Sequence, residues 1–91
     1  MTKQPPQLSV AQARAARGLI HWSQQKLATE AGIGVSTVRN FELGNRSTHS
    51  VSIQAMRRAL EAAGVEFLGT GEGSLDGGPG VRLRAEAPAT G

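Results

Sequence analysis

The chain has 91 residues, a net charge of +3 and no cysteine. That length supports one small domain with a modest core, and the absence of cysteine excludes a disulfide framework or a thiolate metal site. No long apolar run or secretory leader is present, so a soluble, cytoplasmic protein is expected, and three aromatics, Trp22, Phe41 and Phe67, are too few for a base-stacking platform of the kind that holds single strands.

The charge is unevenly placed. Residues 1–63 carry eight basic side chains against three acidic ones, and residues 64–91 carry two against four. An anionic partner is therefore expected on the first two-thirds of the chain.

Residues 1–7, MTKQPPQ, hold two adjacent prolines and almost nothing apolar, which predicts a disordered leader. Ser9 followed three residues later by Gln12 is the S-x-x-Q form of a capping box, so a first helix is expected from about Val10 to Leu19 or Ile20. Ala13, Ala16, Ile20 and Leu19 fall toward one side of it, Arg14 and Arg17 lie on a neighbouring side, and His21 and Trp22 close its end. Ser23 offers the next N-cap, and Leu27, Ala28 and Ala31 mark a short amphipathic second helix ended by Gly32.

Gly32, Ile33 and Gly34 separate this helix from the next. A sharp turn between two helices needs a residue at positive φ, which Gly32 supplies without a Cβ penalty, and Ile33 can fill the angle. Gly34 then stands at the N-cap of a third helix. At about 100° per residue, Ser36, Arg39, Asn40 and Leu43 share one side of that helix while Val38 and Phe41 share the opposite one. In isolation such a polar side would be read as solvated surface. Arg, Asn and Ser are also the side chains that fork onto or bond base edges in a DNA major groove, and Val35 can meet a thymine methyl.

Gly44 closes the third helix, and NRSTHS connects it to a fourth, for which Ser50 or Ser52 is the expected cap. In that helix Ile53, Met56, Leu60 and Ala63 repeat at helical spacing, read as core first and as dimer surface second, before Gly64. VEFL and VRLR are short β-prone runs joined by the glycine-rich GTGEGSLDGGPG. A hairpin is expected, with Glu66 facing Arg82 or Arg84 and with Phe67 and Leu83 covering the core, followed by a disordered tail. A lone hairpin is marginal in water, so it must lean on the helices or on a second copy.

Residues 16–45, ARGLIHWSQQKLATEAGIGVSTVRNFELGN, resemble the lambda-repressor-like, or XRE-type, helix-turn-helix. The matching features are Ser-Gln opening the second helix, Leu-Ala within it, Ala-Gly at the turn, then Thr-Val and Phe-Glu with a closing Gly. The similarity extends over about residues 9–64, and the joint spacing is far more specific than any one element. It implies a mainly α fold: a compact four- to five-helix lambda-repressor-like domain with a short C-terminal β-hairpin, as in short single-domain bacterial members. The division expected is a leader at 1–7, the DNA-binding domain at 8–64, the hairpin at 65–84 and a tail at 85–91.

The resemblance assigns Val35, Ser36, Arg39 and Asn40 to base reading and Gln24, Thr37, Asn45 and Arg46 to phosphate contacts. It also pairs Arg17 with Glu42 in a structural ion pair. The implied function is a sequence-specific double-stranded DNA-binding transcriptional regulator, a repressor acting as a homodimer through the C-terminal hairpin, the last helix or both. The alternative is a protein-interaction module of the same fold, antitoxin-like or an adaptor, with the hairpin as docking strand. Three features depart from the family pattern: Gly34 replaces a Ser or Thr cap, Lys26 replaces an acidic residue, and the connection after the third helix lacks a proline.

Other chemistries find no support in the residues. Ser23 reads as a cap, since no base stands near it in sequence to make it a nucleophile. His21 and His49 have no cysteine and no i, i+4 partner with which to hold a metal. The glycine-rich loop lacks the spacing and the lysine of a phosphate cradle. No acid–base pair or ligand cluster can be assembled, so no enzyme activity, cofactor, metal or membrane partner is expected.

Overall fold

A computed structural model describes residues 7–73 and 76–85. Apart from Gln7 and Ala85, the expected leader and tail lie outside the described residues. Four helices and one antiparallel pair of strands follow in chain order: α1 Val10–Ile20, α2 Gln24–Ala31, α3 Val35–Glu42, α4 Ser50–Ala62, β1 Val65–Leu68 and β2 Gly80–Leu83.

Local chemistry sets most of the helix ends. At the start of α1 the Gln12 N–H donates to Ser9 Oγ at 3.1 Å and the Ser9 N–H donates back to Gln12 Oε1 at 3.2 Å, a complete capping box. Leu8 just before the cap and Ala13 one turn in are both buried, the arrangement of a hydrophobic staple. Ser23 caps α2 by accepting from the Lys26 N–H at 3.0 Å.

The ends of α1 and α2 use the same device with different residues. The Gly32 N–H donates to Thr29 O and the Ile33 N–H to Ala28 O, with Gly32 at φ 73°. The His21 N–H donates to Gly18 O and the Trp22 N–H to Arg17 O, with His21 at φ 57°. These paired bonds satisfy the last free carbonyls only when one residue turns left-handed. Glycine does so freely, whereas a histidine there carries the strain of its Cβ.

The start of α4 departs from expectation. His49 is the N-cap and makes no side-chain cap bond, while Ser50 and Ser52 lie inside the helix. Packing sets this boundary: Ile53 is buried, and its N–H finds its acceptor in the His49 carbonyl at 3.1 Å. The helix therefore begins where the buried Ile53 needs a partner, ahead of both serines.

The core joins all four helices and β1. Ala13, Ala16, Leu27, Ala28, Val38, Met56, Leu60 and Val65 are fully enclosed, and Ile20, Phe41 and Ile53 are nearly so. Leu19 was expected among them but is exposed at the rim, because the arc from Ala13 through Ala16 to Ile20 points elsewhere. Ile33 packs half-buried against the core.

The strands pair in the register Val65 to Leu83, Glu66 to Arg82, Phe67 to Val81 and Leu68 to Gly80. Glu66 thus meets Arg82, but the expected cover of Phe67 and Leu83 is corrected. Phe67 lies opposite Val81, and these two pack on the core while Leu83 stays exposed. The hairpin is fastened to the helices by Gln12, whose Nε2 donates to Gly80 O at 3.0 Å and Leu68 O at 3.3 Å. On the other side the Arg57 guanidinium of α4 lies 5.1 Å from the Phe67 ring centre.

Candidate nucleic-acid interface

Helix α3 has two unlike sides. Val38, Phe41 and Glu42 are buried, whereas Ser36, Arg39 and Asn40 are exposed and Val35 and Thr37 are half-buried. Among the described residues the side chains of Ser36, Arg39 and Asn40 make no hydrogen bond or ion pair. Their donors and acceptors all face outward from one side of a helix whose other side is locked into the core.

Glu42 supplies much of that lock. Arg17 donates from Nε to Oε2 and from Nη2 to Oε1, both at 2.7 Å, and its Nη1 donates to Trp22 O at 3.0 Å. Gln24 Nε2 adds a bond to Glu42 Oε1 at 3.1 Å. One carboxylate therefore gathers α1, the first residue of α2 and the last turn of α3, and Arg17 extends the cluster to the turn before α2. Burial opposes the charge on Glu42, yet the hydrogen bonds of Arg17 and Gln24 and the positive charges of Arg17 and Arg14 outweigh it and hold its pKa below the usual carboxylate value. The hydrogen bond to Glu42 and its charge raise the Arg17 pKa, against a smaller opposing effect of burial.

The ends of α3 are held differently. Gly34 is in extended conformation with no side chain to cap the helix, so the Ser36 and Thr37 amides rely on backbone and solvent. At the far end Gly44 at φ 89° allows the Asn45 N–H to reach Asn40 O at 3.0 Å and its own N–H to reach Phe41 O at 2.9 Å.

Asn45 also organises the loop beyond. Its Oδ1 accepts from the Ser47 N–H at 2.9 Å and Ser47 Oγ at 2.7 Å, and its carbonyl accepts from Thr48 Oγ1. Its Nδ2 has no acceptor among the described residues, and both Asn45 and the neighbouring Arg46 are exposed. Lys26, on α2, lies 5.8 Å from the Trp22 ring centre and 3.7 Å from Glu30.

The helix-turn-helix family profile matches residues 14–68. The chain belongs to the XRE-type helix-turn-helix family of DNA-binding domains. The match runs from within α1 to the end of β1, so the XRE-type portion holds α2, the turn and α3 entire, and β2 lies beyond it. No curated protein is detectably similar to this XRE-type chain in sequence. Among the described residues no helix is long and apolar enough to cross a membrane, and no group of three metal-ligating side chains occurs.

Sequence spacing did not disclose the bonds from Gln24 and Trp22 O that complete the Glu42 cluster. Glutamine at the first position of a helix is ordinary surface chemistry, and a backbone carbonyl carries no sequence signal.

Proposed function

We propose that this protein is a cytoplasmic, non-enzymatic repressor that binds a near-palindromic operator as a homodimer. Helix α3 enters the major groove, and two-fold symmetry sets half-sites about one turn, roughly 10 bp, apart. Val35, Ser36, Arg39 and Asn40 read base edges, while Gln24, Thr37, Asn45 and Arg46 contact phosphates and fix the register. Residues 8–64 form the DNA-binding domain, and the hairpin, α4 or both supply the dimer contact.

The observation that carries this reading is the outward side of α3: Ser36, Arg39 and Asn40 exposed and unbonded on a helix whose opposite side is pinned through Glu42. Competition between operator and shuffled duplex across a salt series tests it. Sequence-specific binding predicts that operator outcompetes shuffled DNA at every salt concentration, with affinity falling linearly on a log–log plot. Equal competition by shuffled DNA would favour the second reading, a protein-interaction module. That reading draws support from the hairpin, which carries hydrogen-bonding edges beyond the DNA-facing helices.

A further inference from the structure

We propose that the outer edge of β2, together with the groove it forms against α1, docks an extended acidic segment of a partner protein. The site goes beyond DNA recognition and shares no residue with the proposed DNA contacts.

The hydrogen-bond register defines the edge. The Arg84 N–H donates to Gly64 O at 2.9 Å, which makes Gly64–Arg84 a bonded pair, and with it Glu66–Arg82 and Leu68–Gly80. The intervening residues of β2, Val81 and Leu83, therefore turn their N–H and C=O groups away from β1. Beyond the strand pair, neither N–H has an acceptor among the described residues. Outward groups two residues apart are what an added antiparallel strand requires.

Beside this edge runs a shallow groove of about 400 Å³ between α1 and β2. Ser9, Ala11, Gln12 and Ala15 on the α1 side and Pro79, Gly80 and Val81 line it; with Gln12 tied back to the hairpin carbonyls, the small or compact side chains leave space for those of an incoming strand. In such a strand alternate side chains point into the groove and the others lie over the far face of the sheet.

Charge selects the occupant. That far face carries Arg82 and Arg84; among the described strand residues its acidic side chain is Glu66, already bonded to Arg82 at 2.7 Å, and the charge of Glu72 in the connecting loop also acts on Arg82. Arg84 makes no side-chain hydrogen bond or ion pair among the described residues, although its charge acts on Glu66, and α1 contains no acidic residue. A second copy joined β2 to β2 about Arg82 would set that arginine against its symmetry mate, which like charges disfavour. A segment alternating apolar and acidic residues instead fills the groove and brings carboxylates to Arg82 and Arg84.

The test is an amide NMR titration of the full chain with a capped octapeptide of alternating Val and Glu, compared with one of alternating Val and Lys. The Val/Glu peptide is expected to shift the Val81 and Leu83 amides and slow their exchange, and Arg84→Glu to weaken it by about fivefold or more. Leu83→Pro removes an outward N–H that the ladder with β1 does not use, and should abolish peptide binding while leaving the amide shifts of the four helices unchanged. Arg84→Glu alters only an exposed side chain and keeps the test valid if the proline variant misfolds. Equal binding of the Val/Lys peptide, no binding of either, or shifts confined to other elements would overturn the proposal. So would conversion of a dimer to monomer by Leu83→Pro, which would assign the edge to a second copy. Loss of operator discrimination in the wild type would instead sink the DNA reading and leave this one standing.

Discussion

Two arginine–glutamate pairs in this molecule share a closest contact of 2.7 Å and almost nothing else. Arg17 and Glu42 have side chains 19% and 4% exposed, whereas Arg82 and Glu66 are 57% and 39% exposed. The first pair joins helices far apart in sequence and draws in Gln24 and the Trp22 carbonyl. The second bridges neighbouring strands in water. Contact distance therefore says little about consequence; desolvation and the number of elements tied together decide it.

Breaking the buried pair should have the largest effect. Arg17→Met leaves the Glu42 carboxylate enclosed without its main partner, and a loss of about 3 kcal/mol is expected, the low end for buried pairs because Arg17 is partly exposed. That is a large share of the roughly 5–14 kcal/mol typical of a domain this size. Urea denaturation measures it, and a loss no larger than that of a surface substitution would mean the cluster is dispensable.

Acid sharpens the same comparison. The Glu42 pKa is depressed in the folded state, so its contribution is fully present above the unfolded value of about 4.3 and is lost as pH falls through the folded value. Stability followed from pH 6 down to pH 2 should fall more steeply in the wild type than in Glu42→Gln. The Glu66 pKa is also held down, first by its hydrogen bond to Arg82, but on the solvent-facing side of the sheet. Half-molar salt should erase any acid dependence due to Glu66 and leave most of that due to Glu42.

Smaller effects belong to α3 and the hairpin surface. Gly34→Ser places a hydroxyl where the Ser36 and Thr37 amides lack a side-chain acceptor. An added Cβ would meet only Ser36 Oγ at 3.8 Å and Thr37 Oγ1 at 4.0 Å, both ordinary contacts. A gain of a few tenths of a kcal/mol is expected, with slower amide exchange at Ser36 and Thr37. Glu66→Gln, at the exposed pair, should leave the denaturation midpoint unchanged within error.

How much was legible in sequence follows the range of the interactions. The Ser9–Gln12 box, the Ser23 cap and the turn at Gly32 are settled within a few residues, and the chain reads them out directly. The polar side of α3 follows from helical spacing alone. Arg17 and Glu42 came together only through the family resemblance, since residues 25 positions apart carry no local signal of contact. The same limit hid the second role of Gln12, whose amide leaves the cap region to bond carbonyls 56 and 68 positions away. Leu83 was misplaced because alternation in VRLR marks its side of the sheet but not where the helices beneath stop. Ser50 and Ser52 misled because burial of Ile53 outweighed cap chemistry.

The most direct test of the central claim, that the exposed side of α3 reads sequence, is a binding-site selection from randomised duplex with wild type and Arg39→Ala in parallel. Relaxed preference at one base pair per half-site, with a cost of about 1–3 kcal/mol on the selected operator, is the predicted result. Undiminished discrimination at every position would contradict it.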